Sequence, residues 1–173
     1  MRVRKFFVFA GALAVVAGVS GCGSDGSEDN GLPIAGDMAG IEKFANKYTT
    51  CSGLEMDSES GYMSSEAEDP SWAIKERAVC DDGRSDSITL LSIDNMKKFQ
   101  SANKRDAAKG EGGKFLIGQD FALIPSNEQT AMELKESGTL LFTCDSDFKV
   151  PSGYVKKNAL VDGCLLTDYM PTD

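Results

Sequence analysis

Apolar positions in the first half of the chain follow helical and strand periods in turn. Residues 38–51 carry them at steps of three and four, which predicts a helix with Asp37 as its N-cap. Residues 75–80 and 87–93 flank an Asp-Gly turn and predict a β-hairpin. A second helix is expected after Asp94 as its cap. Its buried positions would be Met96, Phe99 and Ala102, and its solvent-facing ones Lys97, Lys98, Gln100, Lys104 and Arg105.

The second half repeats short apolar runs separated by turn-forming residues. Residues 114–124 are apolar except at their start and at 118–120, which predicts one bulged strand or two shorter strands. Residues 126–129 fit a capping box and open a third helix that ends near Gly138. Further strands are expected at 139–144, 159–161 and 164–169. Because a strand, a helix and a strand follow one another with short connections, one parallel crossover is expected.

These patterns predict an α+β fold. We expect a single small domain whose mixed, mostly antiparallel sheet packs against about three helices. All five prolines fall outside the interiors of the predicted elements, which supports this segmentation.

The N-terminal residues follow a different pattern. Three basic residues, Arg2, Arg4 and Lys5, precede an uncharged apolar run over 6–19. A helix that spans a bilayer needs about 20 apolar residues, so this shorter run is typical of a signal peptide. The residues Val19-Ser20-Gly21-Cys22 then resemble the lipobox of bacterial lipoproteins. That resemblance implies cleavage before Cys22 and lipidation of this cysteine with diacylglycerol.

The expected domain organisation follows from the lipobox. Residues 1–21 form the signal peptide, 22–36 a flexible acidic tether, and 37–173 an extracytoplasmic α+β domain. The protein would be lipid-anchored at the extracytoplasmic face of the cell membrane, and the acids of the tether would keep the domain clear of anionic lipid. These features resemble the small lipoproteins of unknown function on Gram-positive cell surfaces, and the resemblance implies a location rather than an activity.

Four cysteines remain after Cys22, an even number in an oxidising compartment, and predict two disulfides. None of them forms a Cys-x-x-Cys pair, the spacing typical of redox and zinc sites. Of the three possible pairings we favour neighbours in the predicted order of elements: Cys51 with Cys80, and Cys144 with Cys164. The crossed pairings stay open, because loop entropy differs too little between them to decide.

The amino-acid composition excludes several kinds of active site and binding partner. The chain contains no histidine, which excludes imidazole as a general base and as a metal ligand. Loss of the signal peptide would leave 15 basic residues against 27 acidic ones, so nucleic acid is an unfavourable partner. No nucleophile motif of the chain is accompanied by the other motifs that such an active site needs. We therefore assign no catalytic residue, no metal ligand and no cofactor.

Residues 52–71 hold six acids and no base, and are expected to form a long surface loop. Asp57, Glu59 and Glu68 match the first, third and twelfth positions of an EF-hand loop, but Tyr62 stands where the tight turn needs glycine. Just beyond this segment, Trp72 either covers the core or joins Tyr62 in a surface on which a glycan or peptide would stack.

The function favoured by the sequence is a non-enzymatic binding or interaction module. Its partners would be the membrane, through the N-terminal lipid, and an envelope protein or glycan. Two alternatives stay open. One is an exported hydrolase that acts through a carboxylate pair, which only the spacing of the carboxylates in space would reveal. The other is a calcium-binding surface domain.

Overall fold

The computed structural model describes residues 31–171 and joins eight strands into one antiparallel sheet of order β1-β2-β3-β5-β4-β6-β8-β7. The strands are β1 Ser52–Met56, β2 Ile74–Asp81, β3 Ser87–Ile93, β4 Phe115–Ile117, β5 Phe121–Pro125, β6 Leu140–Thr143, β7 Lys156–Asn158 and β8 Leu165–Thr167. The helices are α1 Met38–Ala45, α2 Ser64–Glu68, α3 Met96–Ala107 and α4 Glu128–Lys135, with a 3-10 turn at Pro70–Trp72. Cys22 and the predicted signal peptide lie outside the described residues. Within the described range, no helix has the length and apolar character needed to cross a bilayer.

The α+β class is confirmed, but the expected parallel crossover is wrong. All seven strand pairings are antiparallel. The polar residues 118–120 make a turn, so that β4 and β5 form a hairpin. The chain then passes through α4 into β6, which runs in the direction of β5 but pairs with β4, the strand between them.

Helices cover both faces of the sheet. Helices α1 and α4 pack on one face, where Ile41 and Leu134 join sheet residues such as Leu123 in one core cluster. Helix α3 and the 3-10 turn pack on the other face, where Phe99 and Trp72 join a second cluster. The central strands therefore lie between two apolar layers.

Helix starts are close to those predicted, with corrections of one residue. Asp37 caps α1 as predicted and accepts a hydrogen bond from the N–H of Gly40. Helix α3 is capped by Asn95 rather than Asp94, because the Asn95 side chain accepts from the third residue of the helix. Helix α4 is likewise capped by Asn127, one residue after the predicted start of the capping box.

The structure also differs from two predictions, one near the N-terminus and one in the acidic segment. The predicted loop 52–71 contains the edge strand β1 and the short helix α2. Residues 32–36, assigned to the tether, pack on the domain, with Leu32 buried. The packed part of the chain therefore begins before the predicted boundary at residue 37.

Both disulfides form with the favoured pairing. Cys51 joins Cys80, tying the start of β1 to the end of β2, and Cys144 joins Cys164, tying the end of β6 to the start of β8. The chain-entropy model assigns loops of 29 and 20 residues about 3 to 4 kcal/mol of stabilisation each.

A buried carboxylate fixes the β2–β3 turn to α4. Asp82 is 1% exposed and accepts four hydrogen bonds. Two come from the backbone N–H groups of Arg84 and Asp86, and two from the side chains of Asn127 (2.5 Å) and Thr130 (2.8 Å). Burial by itself would raise the pKa of Asp82, but these hydrogen bonds outweigh it and the pKa is lowered.

We expect Asp82→Asn to lower the free energy of unfolding at neutral pH by about 1.5 to 3 kcal/mol, because an amide satisfies these donors less well than a carboxylate. A carboxyl group with a lowered folded-state pKa stabilises the fold above its unfolded-state pKa of about 3.8, and this stabilisation is lost as the pH falls through the lower folded-state value. The difference between variant and wild type should therefore shrink in strong acid, as measured by urea unfolding over a pH series. Asp162→Asn is the control, since Asp162 is exposed. A pH-independent difference would contradict the assignment.

Candidate functional site: a cleft beside the first turn of helix α3

A cleft of about 510 Å³ opens between the start of α3, the β4–β5 turn and the loop after β7. Its volume lies in the range of small-ligand sites. Apolar side chains line part of it: Leu32, Ile34, Ile93, Met96, Leu160 and Leu166. Polar ones complete it: Asp94, Asn95, Lys97, Gln100, Gln119 and Asp120.

One wall of the cleft is residues 31–36, here called the strap. Asp120 holds it with both carboxylate oxygens, which accept from the N–H groups of Ala35 (3.0 Å) and Gly36 (2.7 Å). Gln119 adds two hydrogen bonds to strap carbonyls, from its N–H to Pro33 and from its side-chain amide to Leu32. The wall is therefore a fixed part of the domain.

The strap approaches the β4–β5 turn so closely that the turn needs a glycine. A Cβ atom on Gly118 would lie 2.1 Å from the ring of Phe121 and 2.6 Å from the carbonyl oxygen of Pro33. Any larger residue would therefore force the ring of Phe121 and the strap carbonyl of Pro33 to shift.

Gln100 is the buried polar group of the cleft, although the sequence predicts it to face solvent. It is 1% exposed, and its Oε1 accepts a hydrogen bond of 2.8 Å from the N–H of Leu160. Because that donor fixes Oε1, the amide orientation leaves Nε2 as the atom that Gln100 offers to the cleft. Among the described residues, Nε2 makes no hydrogen bond, and the only buried side-chain atom without a partner is the hydroxyl of Thr49, so Nε2 is accessible from the cleft. An accessible donor in a ligand-sized cleft is suited to an oxygen acceptor on a ligand.

The charges around the cleft are nearly balanced. The first turn of α3 places the positive end of the helix dipole and the exposed side chain of Lys97 at the cleft. Asp94 is exposed at the rim, and Asp120 is occupied by the strap. The cleft therefore favours a polar ligand with an apolar part over a highly charged one.

A second depression of similar size, about 500 Å³, lies between the glycine-rich turn after α3 and the end of β6. Two lysines line it, Lys114 and Lys104, and Lys104 donates to the carbonyl of Asp162. Most of the remaining lining is backbone and small side chains. Its buried polar side chain is Thr143, which is 2% exposed, and the Thr143 hydroxyl already accepts a hydrogen bond from the N–H of Asp145. We therefore take the cleft beside α3 as the candidate site.

The acidic segment is folded around a buried cation. Arg77 on β2 is 3% exposed, and its guanidinium donates to the backbone carbonyls of Ser58, Ser60 and Tyr62. Burial lowers its pKa, and the nearby acids Asp57 and Glu66 oppose that shift. The carbonyls of this loop therefore point inward to Arg77.

This arrangement differs from a calcium loop, in which backbone carbonyls and carboxylates converge on the metal. Gly61, with a φ of +76°, allows the turn over the sheet, where a Cβ would lie 2.6 Å from the hydroxyl of Thr89. Across residues 31–171, no three acidic or cysteine side chains lie close enough together to hold a metal ion.

Trp72 covers the core and does not form the stacking surface with Tyr62. It is 5% exposed, and its ring meets that of Phe99 edge-on at 5.6 Å between centroids. Tyr62 is 51% exposed. The two rings therefore lie in different environments.

Comparison with known proteins adds no family. No family model, curated protein or solved structure matches the chain.

We expect Arg77→Met to lower the free energy of unfolding by about 3 kcal/mol, because three partly buried carbonyls lose a charged donor. The loop should also open, so that a glutamate-specific protease cleaves after Glu59 much faster than in wild type. Arg105→Met, at an exposed position bonded to the hydroxyl of Ser71, is the control and should cost less than about 1 kcal/mol. Equal stability of the two variants would show that Arg77 does not organise the loop.

Proposed function

We propose that this protein is a membrane-anchored extracytoplasmic lipoprotein that acts as a non-enzymatic binding module, with the cleft beside α3 as its binding site. The observation that carries the proposal is the buried carboxamide of Gln100, whose donor Nε2 is unused in a cleft of ligand size. The ligand would present an oxygen acceptor to Nε2 and an apolar part to Ile93 and Met96. A peptide or a small component of the cell envelope has this chemistry.

The anchoring half of the proposal is supported by residues 1–22. The basic start, the apolar run and the lipobox ending at Cys22 follow in the order that lipoprotein processing requires. Two disulfides in the domain fit an oxidising compartment outside the cytoplasm.

A carboxylate-dependent hydrolase has less support. Such an enzyme needs two carboxylates facing one reacting bond, one to donate a proton and one to act as a base or nucleophile. Of the two carboxylates at the cleft, Asp120 already accepts two backbone N–H groups of the strap. Only Asp94 is left to take part in such a pair at this site.

Lipidation is tested directly in the native host. Cys22→Ala should abolish labelling of the protein by radioactive palmitate, because no thiol would remain at the lipobox. Ser20→Ala keeps a small residue at its position and should label like wild type. Labelling of the Cys22→Ala protein would contradict the anchor.

Binding in the cleft is tested by site-specific crosslinking on intact membranes. A photoreactive phenylalanine analogue at position 97, on the rim of the cleft, should give an adduct, whereas the same group at position 43, an exposed lysine of α1, should not. Gln100→Glu retains an acceptor for the N–H of Leu160 but removes the donor Nε2. It should lower the adduct yield about 5- to 10-fold, the effect of one hydrogen bond of about 1 to 1.4 kcal/mol. Equal yields at positions 97 and 43, or no effect of Gln100→Glu, would contradict the proposed site.

A further inference from the structure

We propose that the domain docks onto an anionic bilayer through one end of its sheet. This inference rests on the proposed lipid anchor and adds to it a second, protein-made contact. The docking end is defined by the exposed residues Ile34, Tyr154, Val155 and Lys156. It departs from the sequence-based expectation that the domain stands clear of the lipid.

The strand register brings these residues to the same end of the sheet. The β4–β5 turn, which holds the strap and so Ile34, follows Ile117, and Ile117 pairs with Leu140 at the start of β6. The next residue of β6 pairs with Thr167 at the end of β8, and Thr167 pairs with Lys156 at the start of β7. Residues 154–156 therefore lie at the end of the sheet at which the chain enters from the anchor.

Apolar exposure is concentrated at this end. Ile34 is 65% exposed, Tyr154 45% and Val155 39%. They are three of the six most exposed large apolar or aromatic side chains of residues 31–171. The other three, Tyr48, Met56 and Tyr62, lie elsewhere, after α1, on the edge strand β1 and in the acidic segment. Exposed apolar groups that share one end of a domain indicate a contact surface, whereas single ones are ordinary.

The exposed aromatic ring is held in place by its neighbours. The ring of Tyr154 lies 4.9 Å from that of Tyr169, which in turn lies 6.0 Å from that of Phe148. The N–H of Val155 donates to the carboxylate of Asp168 at 2.7 Å. The domain therefore presents Tyr154 and Val155 on a fixed backbone, so their insertion into an interface costs little conformational entropy.

The chemistry of this end matches a lipid surface. Tyrosine is favoured at the headgroup level of bilayers, where its ring is in the apolar layer and its hydroxyl in water. Lys156 follows directly and is exposed, and a lysine near an anionic membrane contributes about 1 kcal/mol. Of the nearby acids, Asp120 and Asp168 accept backbone N–H groups of the domain, and Asp94 is exposed at the rim of the cleft.

The length of the chain between anchor and domain permits this contact. Eight residues lie between Cys22 and Gly31, where the described chain begins, and the nine Cα steps that join the two residues reach at most about 30 Å. The two acyl chains of a diacylglyceryl cysteine already suffice for stable anchoring. The docking end would therefore set the orientation of the domain on the membrane rather than hold it there.

The test uses the full-length acylated protein, with acylation confirmed by mass, in vesicles of neutral and anionic phospholipid that carry brominated acyl chains. Tryptophan is introduced as Tyr154→Trp and, as the matched control, as Tyr62→Trp, where the side chain is also about half exposed. The buried Trp72 gives the same background in both proteins. The brominated lipid should quench the tryptophan at position 154 and shift its emission to the blue, and should leave that at position 62 unchanged.

Charge is tested in the same vesicles. Lys156→Glu should reduce the quenching at position 154, whereas Lys47→Glu, at an exposed lysine just after α1, should not. Equal quenching at positions 154 and 62, or none at either, would overturn the docking while the confirmed acylation leaves the anchor intact. A protein that is not acylated in its host would overturn the anchor and the docking together.

Discussion

The burial of the central strands on both faces is the constraint on which the rest of the structure depends. Every residue of β4 and β6 is buried, and so are all but the first residue of β3. Such strands need an apolar cover on each side. Three helices give most of that cover, but the chain completes it with loops, and each loop carries backbone groups that have to be satisfied where they meet the sheet.

Two buried charges solve this problem in opposite ways. Arg77 donates to carbonyls of the acidic segment, and Asp82 accepts from N–H and side-chain donors of the β2–β3 turn and α4. Neither forms an ion pair with another side chain among the described residues. Their partners are dipoles fixed by the fold, so each charge specifies one position for a loop that has few apolar residues of its own. The nearby acids Asp57 and Glu66 favour the charged form of Arg77 through space, without a hydrogen bond to it.

Much of the fold was readable from the sequence because its signals are local. The runs at 75–80 and 87–93 with their Asp-Gly turn predict β2 and β3, and the order of the elements favours the disulfide pairing that forms without excluding the crossed ones. The features that the sequence did not predict depend on contacts with residues far along the chain. Strand β1 contributes only Leu54 to the core, so its sequence resembles that of a polar loop. Gln100 is hydrogen-bonded to the N–H of Leu160, which lies 60 residues away in the chain. The sequence of the strap is typical of a tether, because nothing in it indicates that its N–H groups bind Asp120, 85 residues further along the chain.

Asp120 also links the candidate site to the proposed anchor. Its carboxylate holds residues 35 and 36, whose neighbours Leu32 and Ile34 line the cleft, and the same segment continues toward Cys22. A cleft wall and the segment that leads to the proposed lipid anchor are therefore one piece of chain fixed at one carboxylate. If the docking end faces the bilayer, the cleft opens close to the lipid surface, because both are built around the β4–β5 turn. A ligand would then meet the cleft in the narrow layer between membrane and domain, which selects for molecules that reside at the envelope side of the membrane over those that diffuse freely outside.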